Sequence, residues 1–343
     1  MAAPPAAQPR RGGVVAAGEP ATAGPAVPTA PAAPGRRIGQ RIGQRIPTVS
    51  PDGFRRLALA GVWVLALTIV SGAAVRLTGS GLGCDTWPSC THTSVVAPLQ
   101  LHAWIEFGNR LINAAVTVAA LGTVLVALRR RPRRRDLTLL SAGMVVGLLV
   151  EVVMGGLVVY SDLNPVLVSI HFLLGLAFLA LAVVLHHRAG RPDGAPAPRP
   201  MVRPAQVWLA RLMLAGLVVV VTLGTVVTST GPHGGSPKAP RFHFSLHSVA
   251  QLHGTSVETF LAVTLVMLWS LAHFGAPRPV IRRAQIMLVT LAAQAAVGYA
   301  QYFSGDPVAV VAVHVAGASI AVIATLRFYL GLWDYSPVPE PAW

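Results

Sequence analysis

Apolar residues gather along this chain into eight long stretches, at roughly 57–75, 99–128, 137–160, 166–187, 207–228, 249–272, 284–303 and 309–332. Each is long enough to cross a bilayer as a helix, so the pattern predicts an all-α polytopic membrane protein. The polar breaks between them differ in charge. Arg55 and Arg56 precede the first stretch, Arg129 to Arg135 follow the second, Arg188, Arg191, Arg199 and Arg203 follow the fourth, and Arg278, Arg282 and Arg283 follow the sixth. The positive-inside rule puts all of these on the cytoplasmic side, and both termini with them. The break from Thr78 to Leu99 has no basic residue and is expected outside.

The pattern repeats. Gly72-Ala73-Ala74-Val75-Arg76-Leu77-Thr78-Gly79 matches Gly224-Thr225-Val226-Val227-Thr228-Ser229-Thr230-Gly231. Further on, Gly156 and Pro165 match Gly298 and Pro307, and His171 matches His314. Each unit holds four spans, an even number, so both insert with the same orientation. The expected architecture is two tandem four-helix bundles related by a pseudo-twofold axis along the membrane normal. The first bundle is expected over 54–187 and the second over 207–332, joined by a cytoplasmic linker at 188–206 rich in Pro and Arg. Residues 1–53 are rich in Pro, Ala and Gly and are read as a disordered basic cytoplasmic tail, with 333–343 as a second tail. The first fifty residues lack the apolar core of a cleavable signal peptide.

Composition sharpens this. The 343 residues are 53% hydrophobic and 11% charged, with a mean hydropathy of +0.61. The net charge of +15 would suggest nucleic acid in a soluble protein. Here the cations lie in short loops between spans and in the tail, where the run Arg36-Arg37-Ile38-Gly39-Gln40-Arg41-Ile42-Gly43-Gln44-Arg45-Ile46 suits an anionic lipid surface. The expected partner is therefore the bilayer, and nucleic acid is not expected.

The candidate chemistry lies inside the spans. Glu106, Asn109 and Arg110 share one helix face at i, i+3 and i+4. Ionisable groups within a membrane helix are costly and mark functional sites. The second unit carries His253 where the first carries Asn109, and Ala250 where the first carries Glu106. His253 and His314, at similar depth on spans six and eight, have the spacing to clamp one haem iron from both sides. The alternative is a pair of buried histidines satisfied by hydrogen bonds. In the first unit His171 offers one strong ligand, and Asn109 a weak one or none. His102 lies about 10 Å further along the helix from Asn109, which suits an interfacial or proton-relay role. Glu106 could serve as a base or proton guide, or as a structural partner of Arg110. Arg76 and Arg110 could pair with carboxylates such as haem propionates or reach the interface as ordinary snorkelling cations. Glu151 and Glu258 are further intramembrane acids without an evident role.

Cys84 and Cys90 flank a Pro turn in the loop after the first span, where a disulfide can form. A zinc site would need more ligands than the neighbouring His92. A structural and a redox-active disulfide are both compatible with this spacing.

These residues resemble a known family. Val75-Arg76-Leu77-Thr78-Gly79-Ser80-Gly81-Leu82-Gly83-Cys84, then Trp87-Pro88 and Cys90, is similar to the first outer loop of haem A synthases. Glu106 to Arg110 resembles that family's Glu-x-x-His-Arg motif. The resemblance covers about residues 55–332. It implies a membrane oxidoreductase of a bacterial plasma membrane that oxidises the C8 methyl of haem O to a formyl group, giving haem A for cytochrome oxidase. It further implies a haem b cofactor on His253 and His314, substrate haem on His171, and a catalytic Glu106. Haem O synthase and cytochrome oxidase assembly factors would be partners, and a homo-oligomer is compatible with the chain. Asn109 departs from the motif, which usually has a ligand histidine there. A haem-binding electron-transfer or haem-transport protein would also explain the histidines. It would not explain why one unit alone lost a ligand and gained a carboxylate. A secondary transporter is a weaker reading, since the spans lack paired Gly/Pro-broken half-helices.

Overall fold

A computed structural model of the chain describes residues 48–336. The basic run at 36–46, most of the expected N-terminal tail and the end of the C-terminal tail lie outside the described residues. Eight helices are long and apolar enough to cross a membrane. They are α1 (Pro51–Leu77), α2 (Leu101–Arg129), α3 (Arg135–Tyr160), α4 (Pro165–Ala189), α5 (Pro204–Thr230), α6 (Leu246–His273), α7 (Arg278–Phe303) and α8 (Val308–Leu330). Even α8, with 23 residues, reaches about 35 Å at 1.5 Å per residue, enough for a hydrocarbon core of about 30 Å.

Helix ends fall where local chemistry allows. Ser50 caps α1, its hydroxyl accepting the Gly53 N–H at 3.1 Å, with Pro51 and Asp52 in the first turn. This starts α1 inside the stretch expected as tail. An oxygen acceptor followed by Pro and an acid is a strong helix start, and it outweighs the lack of apolar residues there. Asn164 caps α4 in the same way, accepting from Val166 N–H at 3.0 Å. The turns into α4 and α8 are built alike, with consecutive left-handed residues at Asp162–Leu163 and at Gly305–Asp306. Their caps are Asn164 and Pro307. This register pairs Asn164, not Pro165, with Pro307, one residue away from the match of prolines in the sequence.

Packing partners define the arrangement. In the first four helices α1 packs on α2 and α4, and α3 on α2 and α4, while α2 and α4 stand diagonally with next to no direct contact. In the last four, α5–α6, α6–α7 and α7–α8 are neighbours and α6 and α8 stand diagonally. The α5–α8 contact is sparse where its counterpart α1–α4 is extensive. The two groups meet through α4–α8, α1–α8 and α4–α5, the set of contacts that a twofold relation would produce. Phe54, Leu179, Met213, Met267, Met287 and Phe328 are among the fully buried side chains of one core that runs through all eight helices. Leu67, Val118, Leu149, Leu212 and Val289 are exposed on the outer surface, where lipid tails would solvate them.

The arginine-rich end is tied by more than packing. Arg130 is 1% exposed and donates to Asp193 at 2.8 Å and to the Pro132 carbonyl at 2.5 Å. Val49 pairs with Arg130 in an isolated parallel bridge. Arg199–Pro200 (β1) pairs antiparallel with Trp333–Asp334 (β2). Part of the expected linker is thus hydrogen-bonded to the start of the expected C-terminal tail. The guanidinium of Arg191 stacks on Tyr335, 3.9 Å from the ring centre, adding to that connection.

Removing the Arg130 guanidinium strips Asp193 of its nearest cation. We expect Arg130→Met to cost about 2 kcal/mol, read as a lowered thermal midpoint in detergent; an unchanged midpoint would show the ion pair to be idle.

Candidate functional site

The site residues lie toward the end opposite the arginines, where the loop between α1 and α2 folds over the bundle. Cys84 and Cys90 form a disulfide with an S–S distance of 2.05 Å. Both are fully buried in a small apolar cluster with Ala97, Ala103 and Phe107. Zinc is thereby set aside as the reason for these cysteines. Gly83 rests directly on the backbone of α2: a Cβ there would fall 2.4 Å from the His102 carbonyl oxygen. Trp87 packs over Gly156 on α3, and the Tyr160 hydroxyl donates to the Trp87 carbonyl at 2.5 Å.

Glu106 and Arg110 hold this loop. One oxygen of Glu106 accepts the Cys84 N–H at 2.9 Å. The other accepts from Arg110 at 2.5 Å. Arg110 also donates to the carbonyls of Thr86 and Ser89, both at 2.9 Å. An apolar helix tolerates this acid because a backbone N–H and a guanidinium both satisfy it. His102 sits a turn further out, its Nδ1 2.9 Å from the Ser80 hydroxyl.

Arg76 spans the two groups of helices. Its guanidinium donates to the His233 carbonyl at 2.7 Å and to the Thr228 carbonyl at 2.9 Å. Gly81 N–H donates to the Gly235 carbonyl at 2.8 Å nearby. Neither Arg76 nor Arg110 is therefore a simple snorkelling cation, the other role considered from sequence. Arg110 Nε and Arg76 Nη1 donate to none of the described residues.

The four ligand-type positions occupy the diagonal helices. Asn109 lies on α2 and His171 on α4 in the first group, and His253 lies on α6 and His314 on α8 in the second. His253 and His314 each keep a buried Nδ1 without a hydrogen bond among the described residues. Glycines receive both rings: a Cβ at Gly224 would lie 3.2 Å from His253 Cε1, and one at Gly298 would lie 3.0 Å from His314 Cε1. Two imidazoles, each seated against a glycine and each with an Nδ1 lacking a hydrogen bond among the described residues, are the residue type that would hold a haem iron. Among the described residues no three His, Cys, Asp or Glu side chains gather to cage a bare metal ion.

The first group differs. Asn109 Oδ1 accepts from the Ser71 hydroxyl at 2.6 Å, and no imidazole faces His171 from α2. His171 is received by Gly155, whose Cβ would lie 3.9 Å from the ring. Gly155, not Gly156, is thus the counterpart of Gly298; the adjacent glycines made the register ambiguous in the sequence. His171 Nδ1 lies 2.8 Å from Glu151 Oε2 on α3. The sequence marks Glu151 as an intramembrane acid, but helix rotation relative to α4 cannot be read from its position in the chain. Glu258 hydrogen-bonds to Tyr299 on α7, on the outer surface.

Fold and site together define a multi-pass membrane protein that presents histidines across four-helix groups from diagonal helices. The chain matches the model of the cytochrome oxidase assembly protein family over residues 55–326, and it belongs to that family. It is similar to the heme A synthase of Shouchella clausii, with 27% identity over 266 residues, 72% of this chain and 86% of that protein. It is also similar to the heme A synthase of Symbiobacterium thermophilum, with 28% identity over 260 residues, 71% of this chain and 84% of that protein. The match to the Geobacillus kaustophilus heme A synthase is 29% identical and local, spanning 44% of that protein.

A methyl group at position 83 cannot be accommodated while the loop stays docked. Gly83→Ala should destabilise by about 1–3 kcal/mol and speed reduction of the Cys84–Cys90 bond by an added thiol. Reduction at the wild-type rate would mean that the loop finds another way to sit.

Proposed function

We propose that this chain is a haem A synthase, a membrane oxidoreductase that converts the C8 methyl of haem O to a formyl group and so supplies haem A for cytochrome c oxidase. The observation that carries the reading is the inequality of the two groups of helices. One offers two glycine-seated imidazoles on diagonal helices. The other offers His171 alone, with Glu106 one turn from Asn109 on the opposite helix. A cofactor that stays is best held from both sides, and a substrate that enters and leaves is best held from one. We therefore assign haem b to His253 and His314 within 207–332, and substrate haem to His171 within 54–187.

The haem iron supplies the oxidative chemistry when bound. The protein binds, orients and moves protons. We assign to Glu106 the taking of a proton and its passage toward the loop, where its carboxylate meets the Cys84 N–H and Arg110. The free Arg110 Nε and Arg76 Nη1 are the donors we assign to haem propionates. Orientation follows the arginines: the tied end, both termini and the 188–206 linker face the cytoplasm, and the disulfide loop faces out. The membrane would be the plasma membrane of a bacterium, with haem O synthase and oxidase assembly factors as neighbours. A homo-oligomer is compatible with this arrangement.

Three variants test the assignment in cells supplied with haem O. His253→Ala or His314→Ala should abolish the bis-imidazole haem spectrum. Glu106→Ala should keep that spectrum but lower haem A yield at least about 100-fold, the usual contribution of a proton-transferring side chain. Haem A at the wild-type level from Glu106→Ala would end the catalytic assignment. Chromatography of the haems extracted from the wild-type protein separates this reading from an electron-transfer or haem-transport role, which would yield no haem A.

A further inference from the structure

We propose that Glu151 is a positioning residue for the substrate haem, fixing the His171 ring from behind so that one imidazole holds the iron where a second is missing. This rests on the assignment of His171 as the ligand of that haem.

Three observations converge on it. The first is geometric. Glu151 Oε2 lies 2.8 Å from His171 Nδ1, on a neighbouring helix and on the side of the ring away from Nε2. The contact is at ion-pair distance but is not aligned as a hydrogen bond, and Nδ1 remains otherwise without a partner. The His171 side chain is 37% exposed, so its ring is not clamped on all sides.

The second observation is that Glu151 meets no other polar partner among the described residues. Of the three acids central to the membrane helices, Glu106 is held by Arg110 and the Cys84 N–H, and Glu258 by Tyr299. Glu151 Oε1 is buried without a hydrogen bond among the described residues. An acid kept among apolar helices at that cost is kept for its one contact.

The third is the comparison within the chain. In the register set by Gly155–Gly298 and His171–His314, the counterpart of Glu151 is Gln294. That side chain is neutral, and it donates to the His314 backbone carbonyl at 2.7 Å instead of meeting the ring. Among the described residues no acid forms an ion pair with His253 or His314, and the Nδ1 of each lacks a hydrogen bond. The carboxylate therefore appears only in the group that also lacks an imidazole at the facing position, Asn109.

Chemistry links the two changes. A carboxylate accepting from Nδ1–H fixes the tautomer that presents Nε2, fixes the ring plane, and makes the imidazole a stronger donor. With Asn109 opposite, His171 is the one strong protein ligand, and its hold and donor strength are set by Glu151. Asn109, hydrogen-bonded to Ser71, would offer no second strong ligand.

The test uses the full chain, purified in detergent and reconstituted with haem O, with the second haem as an internal standard of folding. Glu151→Gln keeps the shape and removes the charge. It should weaken haem O retention at the first site about 10- to 100-fold and move the iron–histidine stretching band of the ferrous site to lower frequency, while the bis-imidazole spectrum is unchanged. Retention within twofold of wild type and an unmoved band would overturn the proposal. If Glu151→Gln disturbs the second haem too, Glu151→Asp, which withdraws the charge by one methylene, decides by the same band. His171→Ala separates the two layers of the argument. Loss of first-site haem O with that variant supports the ligand assignment, so an unmoved band in Glu151→Gln then counts against Glu151 alone. Retention of haem O by His171→Ala would overturn the ligand assignment and the role of Glu151 together.

Discussion

A carboxylate among apolar helices has to find a partner or give up its charge, and much of the disulfide-bearing end of this protein follows from how its acids do so. Glu106 is satisfied by Arg110 and by the peptide N–H of Cys84. Through Arg110 it also reaches the carbonyls of Thr86 and Ser89. One acid thus fixes the helix face, the loop above it and the ring closed by the disulfide. The cluster of Cys84, Cys90, Ala97 and Ala103 adds apolar burial, but it is too small to orient a loop of this length without those polar ties.

The same constraint separates the two groups of helices. Where the first group spends acids at positions 106 and 151, the second has Ala250 and Gln294. Where the first has Asn109, hydrogen-bonded to Ser71, the second has His253, seated against Gly224. A few side chains set the two groups apart, while the helix order, the turns into α4 and α8, and the diagonal placement of α2 and α4 or α6 and α8 stay common to both.

Much of this was legible in the sequence, for physical reasons. Membrane spans announce themselves because lipid demands continuous apolar surface, and the arginine-bearing loops come together at one end. The replacement of His253 by Asn109 was visible because α2 and α6 share a register. What stayed hidden depends on helix rotation and on contacts between distant segments. The meeting of Glu151 with His171, the grip of Arg110 on loop carbonyls and the reach of Arg76 to Thr228 and His233 have no spacing rule. The β1–β2 pairing, two residues on each side, is too short to leave a periodicity. The start of α1 at Pro51 was obscured by a tail of similar composition, although Ser50, Pro51 and Asp52 carried the cue.

Arg76 bears on how the chain is assembled. Its guanidinium leaves α1 and ends on peptide oxygens at the far side of the molecule's midline. The first four helices, synthesised ahead of the rest, must wait in the bilayer with that cation unclaimed until Thr228 and His233 emerge. Maturation is then a closing of the two groups of helices on one another, and a protein severed within 188–206 would keep a reason for its pieces to find each other.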